Sequence, residues 1–142
     1  MLLGRALPDE LAESLRVHNG QRGPYMSSPF VDHQWLLSTT AIGANWTMRN
    51  EVNESLDAGW WASYFIPFTD SEGDALAVDA SDVGGPVRAH AHDQGMLDIV
   101  LAPSLGDWLA LLAHALEDGR FRIEHQGVWL HEAEGLALIY GS

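Results

Sequence analysis

The chain has 142 residues, 46% of them apolar and none of them cysteine, which fits one domain of roughly 100–200 residues that folds without a disulfide or a thiolate metal site. Twenty acidic residues face seven arginines and no lysine, for a net charge of -13, where small soluble domains carry a magnitude of about 2–8. Such a surplus disfavours nucleic acid and anionic membranes as partners, both being polyanions, and favours a basic protein.

Met1-Leu2-Leu3-Gly4-Arg5 lacks the charged start and apolar run of a signal peptide. No window approaches the ~20 apolar residues of a membrane span. The expectation is a soluble cytoplasmic protein. Pro8 suits the first position of a helix, and Asp9 and Glu10 complement the positive end of its dipole. Leu11 and Leu15 stack one turn apart, and Asn19-Gly20 supplies the stop, with Gly20 as a left-handed cap. The Gly-, Pro- and Ser-rich segment from Gln21 to Asp32 reads as a loop. Trp35-Leu36-Leu37 follows as a short edge strand. Ser38 or Thr39 then caps a helix running to about Leu56, with Ile42, Trp46, Val52 and Leu56 near one stripe and Arg49 on the wetter side.

Trp60 to Phe68 carries aromatics on both faces of a period-two pattern, which predicts a nine-residue strand buried on both sides. On that reading Trp60, Tyr64 and Ile66 share a buried face. Asp70-Ser71-Glu72-Gly73-Asp74 turns the chain into Ala75–Asp79, with Gly73 free to take a positive φ. Val87–His92 and Met96–Ala102 are joined by Asp93-Gln94-Gly95, a three-residue hairpin loop. Four short strands joined this way form an antiparallel meander. Ser104 and Asp107 then open a helix whose Leu105, Trp108, Leu109, Leu112 and Leu116 make a core stripe. Residues 120–142 are a C-terminal extension: Phe121 and Ile123 alternate with polar neighbours, and Glu134-Gly135 suggests a hairpin between Val128–Leu130 and Leu136–Tyr140. Its apolar residues need the core or a second subunit, so a homodimer is one expectation. The fold class is therefore α+β, an antiparallel meander flanked by helices, in a single domain over 1–142.

Trp60-Trp61 with Ile66-Pro67-Phe68, the Asp-Ser-Glu-Gly-Asp turn, and Leu76-Ala77-Val78-Asp79 together resemble the central signature of the SUKH superfamily, with Tyr64 where a second Trp is frequent. Leu7-Pro8-Asp9-Glu10-Leu11 and His18-Asn19-Gly20-Gln21 resemble its opening helix and stop. Val87–Asp93 and Asp107-Trp108-Leu109 resemble its later strand and closing helix. The likeness runs from about Leu7 to about Gly119. A further helix often precedes the opening one in the family, so the resemblance implies a short member or a trimmed chain.

The best candidate chemistry is Arg88, His90 and His92, which alternate onto one face of a strand. A His-x-His pair binds zinc in some hydrolases, with a third ligand here from Asp79, Asp93 or His33. Nothing fixes that third position, and an outer strand with its polar face to solvent explains the pattern as well. No nucleophile elbow, phosphate-cradling loop or dinucleotide fingerprint is present. The reading therefore assigns no catalytic residue, no metal and no cofactor.

The resemblance implies a non-catalytic protein-binding domain: bacterial SUKH domains look mainly like immunity proteins that neutralise a cognate toxin, often a nuclease, of a polymorphic or contact-dependent system. Fungal relatives imply the alternative, an adaptor in cell-envelope or biosynthetic regulation; a metal-dependent hydrolase is the third possibility. The acidic surface suits capture of a nuclease, which must itself be basic to hold phosphates. Candidate contact residues are Asp70, Glu72 and Asp74 at the hairpin tip, and Asp79 and Asp82 after the following strand.

Overall fold

The structure is a computed structural model that describes residues 7–23, 30–31, 33–56, 59–82, 84–124 and 127–130, with the side chains of 122–130 left aside. The elements in chain order are α1 (Asp9–Val17), β1 (Trp35–Leu36), α2 (Thr39–Ser55), β2 (Phe65–Pro67), β3 (Thr69–Asp70), β4 (Ala75–Asp79), β5 (Val87–Ala91), β6 (Gly95–Ala102), α3 (Leu105–Glu117), β7 (Phe121–Glu124) and β8 (Gly127–Leu130). The strands β2, β4, β5 and β6 form one antiparallel sheet in that order, while β1 pairs with β3 and β7 with β8. Helices and antiparallel sheets in these proportions make an α+β fold.

Three strands of the meander lie where turn chemistry puts them. Gly73, at φ 107, follows Glu72 at φ 52 in the β3–β4 turn, a left-handed pair that needs glycine at its more strained member. The next turns deliver β5 against β4 in the register Leu76↔Ala89 and Val78↔Val87. Leu76, Val78, Val87 and Ala89 face a core that also holds Leu11, Ile42, Ile66, Phe68, Trp108, Leu112 and Phe121. Ala77 lies on the other side, in a smaller cluster with Trp61 and Phe65.

The nine-residue strand is a correction. Only Phe65–Pro67 is strand, and Gly59–Tyr64 is irregular. Part of its backbone is satisfied by side chains of α2 instead of a strand ladder: Asn53 Oδ1 accepts from Trp61 N at 2.9 Å, and Ser63 O accepts from Trp46 Nε1 at 2.9 Å. With the alternation broken, the buried tryptophan is Trp61; Trp60 is half-buried and Tyr64 exposed.

The N-terminal caps read from the sequence for α2 and α3 hold, whereas Pro8 is the N-cap of α1 and not its first helical residue. Ser38 accepts from Ala41 N at the start of α2, and Ser104 from Asp107 N at the start of α3. The helix faces shift, however. On α2 Met48 and Leu56 are exposed, while Arg49 is fully buried. On α3 the inward residues are Leu105, Trp108, Leu112 and Ala115, leaving Leu109 and Leu116 partly outside because the bulky Trp108 sets the face. Helix α1 ends at Val17 with His18 extended, so Gly20 is not its cap. Gly20 serves a close approach: a Cβ there would stand 2.2 Å from Ser38 N, tying the end of the α1 loop to the start of α2. β7 pairs with β8 in the register Phe121↔Leu130; the hairpin expected around Glu134-Gly135 lies outside the described residues.

Candidate partner-binding surface

Beneath the turn end of the sheet lies a buried polar cluster that the sequence reading missed. Arg49, from the middle of α2, has no solvent exposure. A guanidinium cannot shed its proton, so a buried one must be surrounded by acceptors and countercharge. Its Nε donates to Asn45 Oδ1 at 2.6 Å, one helical turn back, and its Nη2 to Asp70 Oδ1 at 3.3 Å. Its Nη1 lies 2.7 Å from His90 Nδ1, and its carbon centre 5.4 Å from the centroid of the Trp61 ring.

That contact settles the state of His90. Arg49 only donates, so Nδ1 of His90 accepts, and the proton sits on Nε2, which donates to Trp60 O at 2.8 Å. Burial first, and then the Arg49 charge, push the His90 pKa down to about 4. Trp60 and Trp61 meet the imidazole edge-on, at 4.5 and 5.0 Å between ring centres. His90 is thus a neutral core residue with both ring nitrogens engaged, not the solvent-facing residue expected of an outer strand. Arg88, expected beside it on that wet face, is also largely covered, its Nη1 3.8 Å from Asp79 Oδ2. Among the described residues no group of three or more His, Asp or Glu side chains is arranged to hold a metal ion.

Above this cluster two turns meet. Asp74 Oδ1 accepts from the backbone N–H of His92 at 2.9 Å and from its Nδ1 at 2.7 Å. The hydrogen bond to Asp74, helped by its charge, raises the His92 pKa. Trp60 Nε1 donates to His92 O at 2.9 Å, so the half-buried indole clips the irregular segment onto the β5–β6 turn. Glu72 and Asp93 stand exposed on the two turns.

The five candidate contact residues therefore separate. Asp70 is the last residue of β3 and 8% exposed, turned inward to Arg49. Asp79 is 7% exposed and accepts from Ser81 N and Oγ. Glu72 and Asp82 are exposed and Asp74 partly so. Glu72 and Asp74 share the turn end, and Asp82 lies beyond the far end of β4. One sequence signal for the buried cluster existed: Asn45, Arg49 and Asn53 repeat at four-residue intervals beside Ile42 and Trp46.

Among the described residues no helix is long and apolar enough to cross a membrane. No curated protein matches the chain. The model of the SMI1 / KNR4 family (SUKH-1) matches residues 1–111, from the segment before α1 into α3. With more than half the chain covered by that match, the protein belongs to the SMI1 / KNR4 family (SUKH-1).

Proposed function

We propose that this protein is a non-catalytic immunity protein that works in the cytoplasm by binding a basic toxin domain, in the first instance a nuclease, and blocking it. The observation that carries the reading is the net charge of -13 on a chain of this family. The disposition of the charges supports it. Two arginines are tied into the fold, Arg49 by Asp70 and Arg88 by Asp79, whereas Glu72, Asp82 and Asp93 are exposed. A nuclease must concentrate positive charge to hold phosphates, so these acids are complementary to the surface that has to be masked. In this reading Glu72 and Asp74 contact the toxin directly, and Asp70 and Asp79 brace the surface from within.

The test is titration calorimetry of the purified protein against the toxin domain encoded beside its gene, with the toxin's activity assayed in parallel. Stoichiometric binding with loss of toxin activity is the expected result. No binding to any neighbouring product would contradict the reading and favour the adaptor role instead.

A further inference from the structure

A second feature lies at the opposite end of β4 from the turns, about 16 Å away at roughly 3.3 Å per residue. There a cleft of about 780 Å³ opens between the start of α1, the start of α3 and the β4–β5 loop. Its volume is within the roughly 300–1,000 Å³ typical of small-ligand clefts, room enough for one long side chain and its neighbour. Leu11, Val78 and Leu105 form its buried floor. Asp9 and Asp82 stand exposed at its mouth. Among the described residues no arginine or histidine lines it.

The walls are built rather than incidental. Glu10 reaches from α1 to α3, where its Oε2 accepts from Gly106 N at 2.6 Å across 96 residues of sequence. That bond commits Glu10 to holding the two helix starts at a fixed separation. Gly84 and Gly85 bring the loop past the mouth without side chains. Among the described residues Asp82 Oδ1 accepts a 3.4 Å contact from Gly84 N, and its carboxylate is exposed at the rim.

An apolar floor with carboxylates at the mouth is complementary to one kind of side chain above others. Arginine lays an aliphatic stem on apolar surface and keeps its charged fork at the rim, where carboxylates accept paired hydrogen bonds. Anionic ligands meet like charge at the same place. The geometry points to this cleft as the seat of a short arginine-bearing, apolar segment of the protein partner. The inference rests on the basic-partner reading above and adds an anchor to it, since buried anchors set dissociation while surface charge sets approach.

The probe is the capped tripeptide acetyl-Arg-Leu-Arg-amide, titrated into the ¹⁵N-labelled full chain while backbone amide shifts are followed. Saturable shifts at Val78, Ala80, Gly84, Gly85 and Gly106 are expected, with none from acetyl-Glu-Leu-Glu-amide. Asp9→Asn with Asp82→Asn should weaken binding about tenfold, roughly 1.4 kcal/mol, and leave the spectrum dispersed. Ala80→Trp should fill the cleft and abolish the shifts; if that variant does not fold, Leu7→Trp at the half-buried lip serves the same purpose. Shifts that stay linear with concentration, spread over the surface, or appear equally with the glutamate peptide would overturn the inference. The toxin domain itself then separates the two ideas. If it binds but moves only amides of residues 71–74 and 92–94, the cleft is not the anchor and the immunity reading stands. If the peptide seats in the cleft and the toxin domain does not bind, the cleft stands and the immunity reading falls.

Discussion

Arg49 is the residue on which the interior most depends. Three acceptors and an aromatic face surround it, and one of the acceptors, Asp70, is itself nearly buried. Removing one member of a buried pair strands the other in a medium that solvates it poorly. Arg49→Met should therefore cost roughly 3–5 kcal/mol in urea denaturation, and adding Asp70→Asn should recover part of that loss. A cost under about 1 kcal/mol would mean that the pair is not desolvated. His90 gives a pH signature with a definite sign. Its pKa is about 4 when folded against 6.5 for the free side chain, so between those values the unfolded chain binds the extra proton. The contribution of His90 is complete above pH 6.5, is lost as pH falls, and is exhausted near pH 4, an effect of about 2 kcal/mol after allowance for screening. The groups facing His90 are Arg49, Trp60 and Trp61, with Asp74 and His92 acting at longer range. His92 acts in the opposite sense, its raised pKa giving stability that fades as pH rises. Thermal melts between pH 4 and 7 of wild type and His90→Gln isolate the first term: the variant should show a shallower fall. Identical slopes would mean that His90 is not held neutral.

At the scale of elements, the irregular segment before β2 does the work expected of a strand. Trp61 packs on Phe65 and Ala77 and covers Arg49, whereas Trp60 lies half-buried over His90 with its N–H on the β5–β6 turn. Trp61→Ala should cost roughly 3–5 kcal/mol, and Trp60→Ala clearly less, by the same chemical denaturation; the reverse order would restore the continuous strand. What was legible here was local. The β3–β4 turn, the start of α2 at Ser38 and the start of α3 at Ser104 are set by residues within four positions of one another, and each fell where the sequence put it. The segment from Gly59 to Tyr64 was not legible, because its backbone partners are distant in sequence: Asn53 and Trp46 from the helix before it, His90 and Ala80 from the chain after it. The same holds for Arg49, whose counter-ion is 21 residues away and whose histidine is 41 away. A polar residue at a helix position reads as wet unless its partner is known. Among the candidate contact residues, Asp70 and Asp79 looked like exposed turn acids for that reason.

At the scale of the whole molecule, the proposed role rests on the family and the charge together. The SMI1 / KNR4 match covers α1, α2, the meander and the first half of α3, and the net charge of -13 lies on a chain without lysine. A field of that sign reaches about 8 Å into physiological salt and acts mainly on the rate at which a basic partner arrives. Fast capture matters for an inhibitor of a nuclease, because each encounter of free toxin with nucleic acid does damage. Glu72 and Asp93 are exposed on the two turns that Asp74 and His92 lock together. Glu72→Gln with Asp93→Asn should thus slow association several-fold and leave dissociation nearly unchanged. The most direct measurement is stopped-flow association with the proposed toxin partner across a salt series from about 50 to 500 mM. An association rate that falls steeply with salt, against a dissociation rate that changes little, is the result this account predicts. A rate that stays flat across the series would contradict it, leaving the acidic surface a feature of solubility alone.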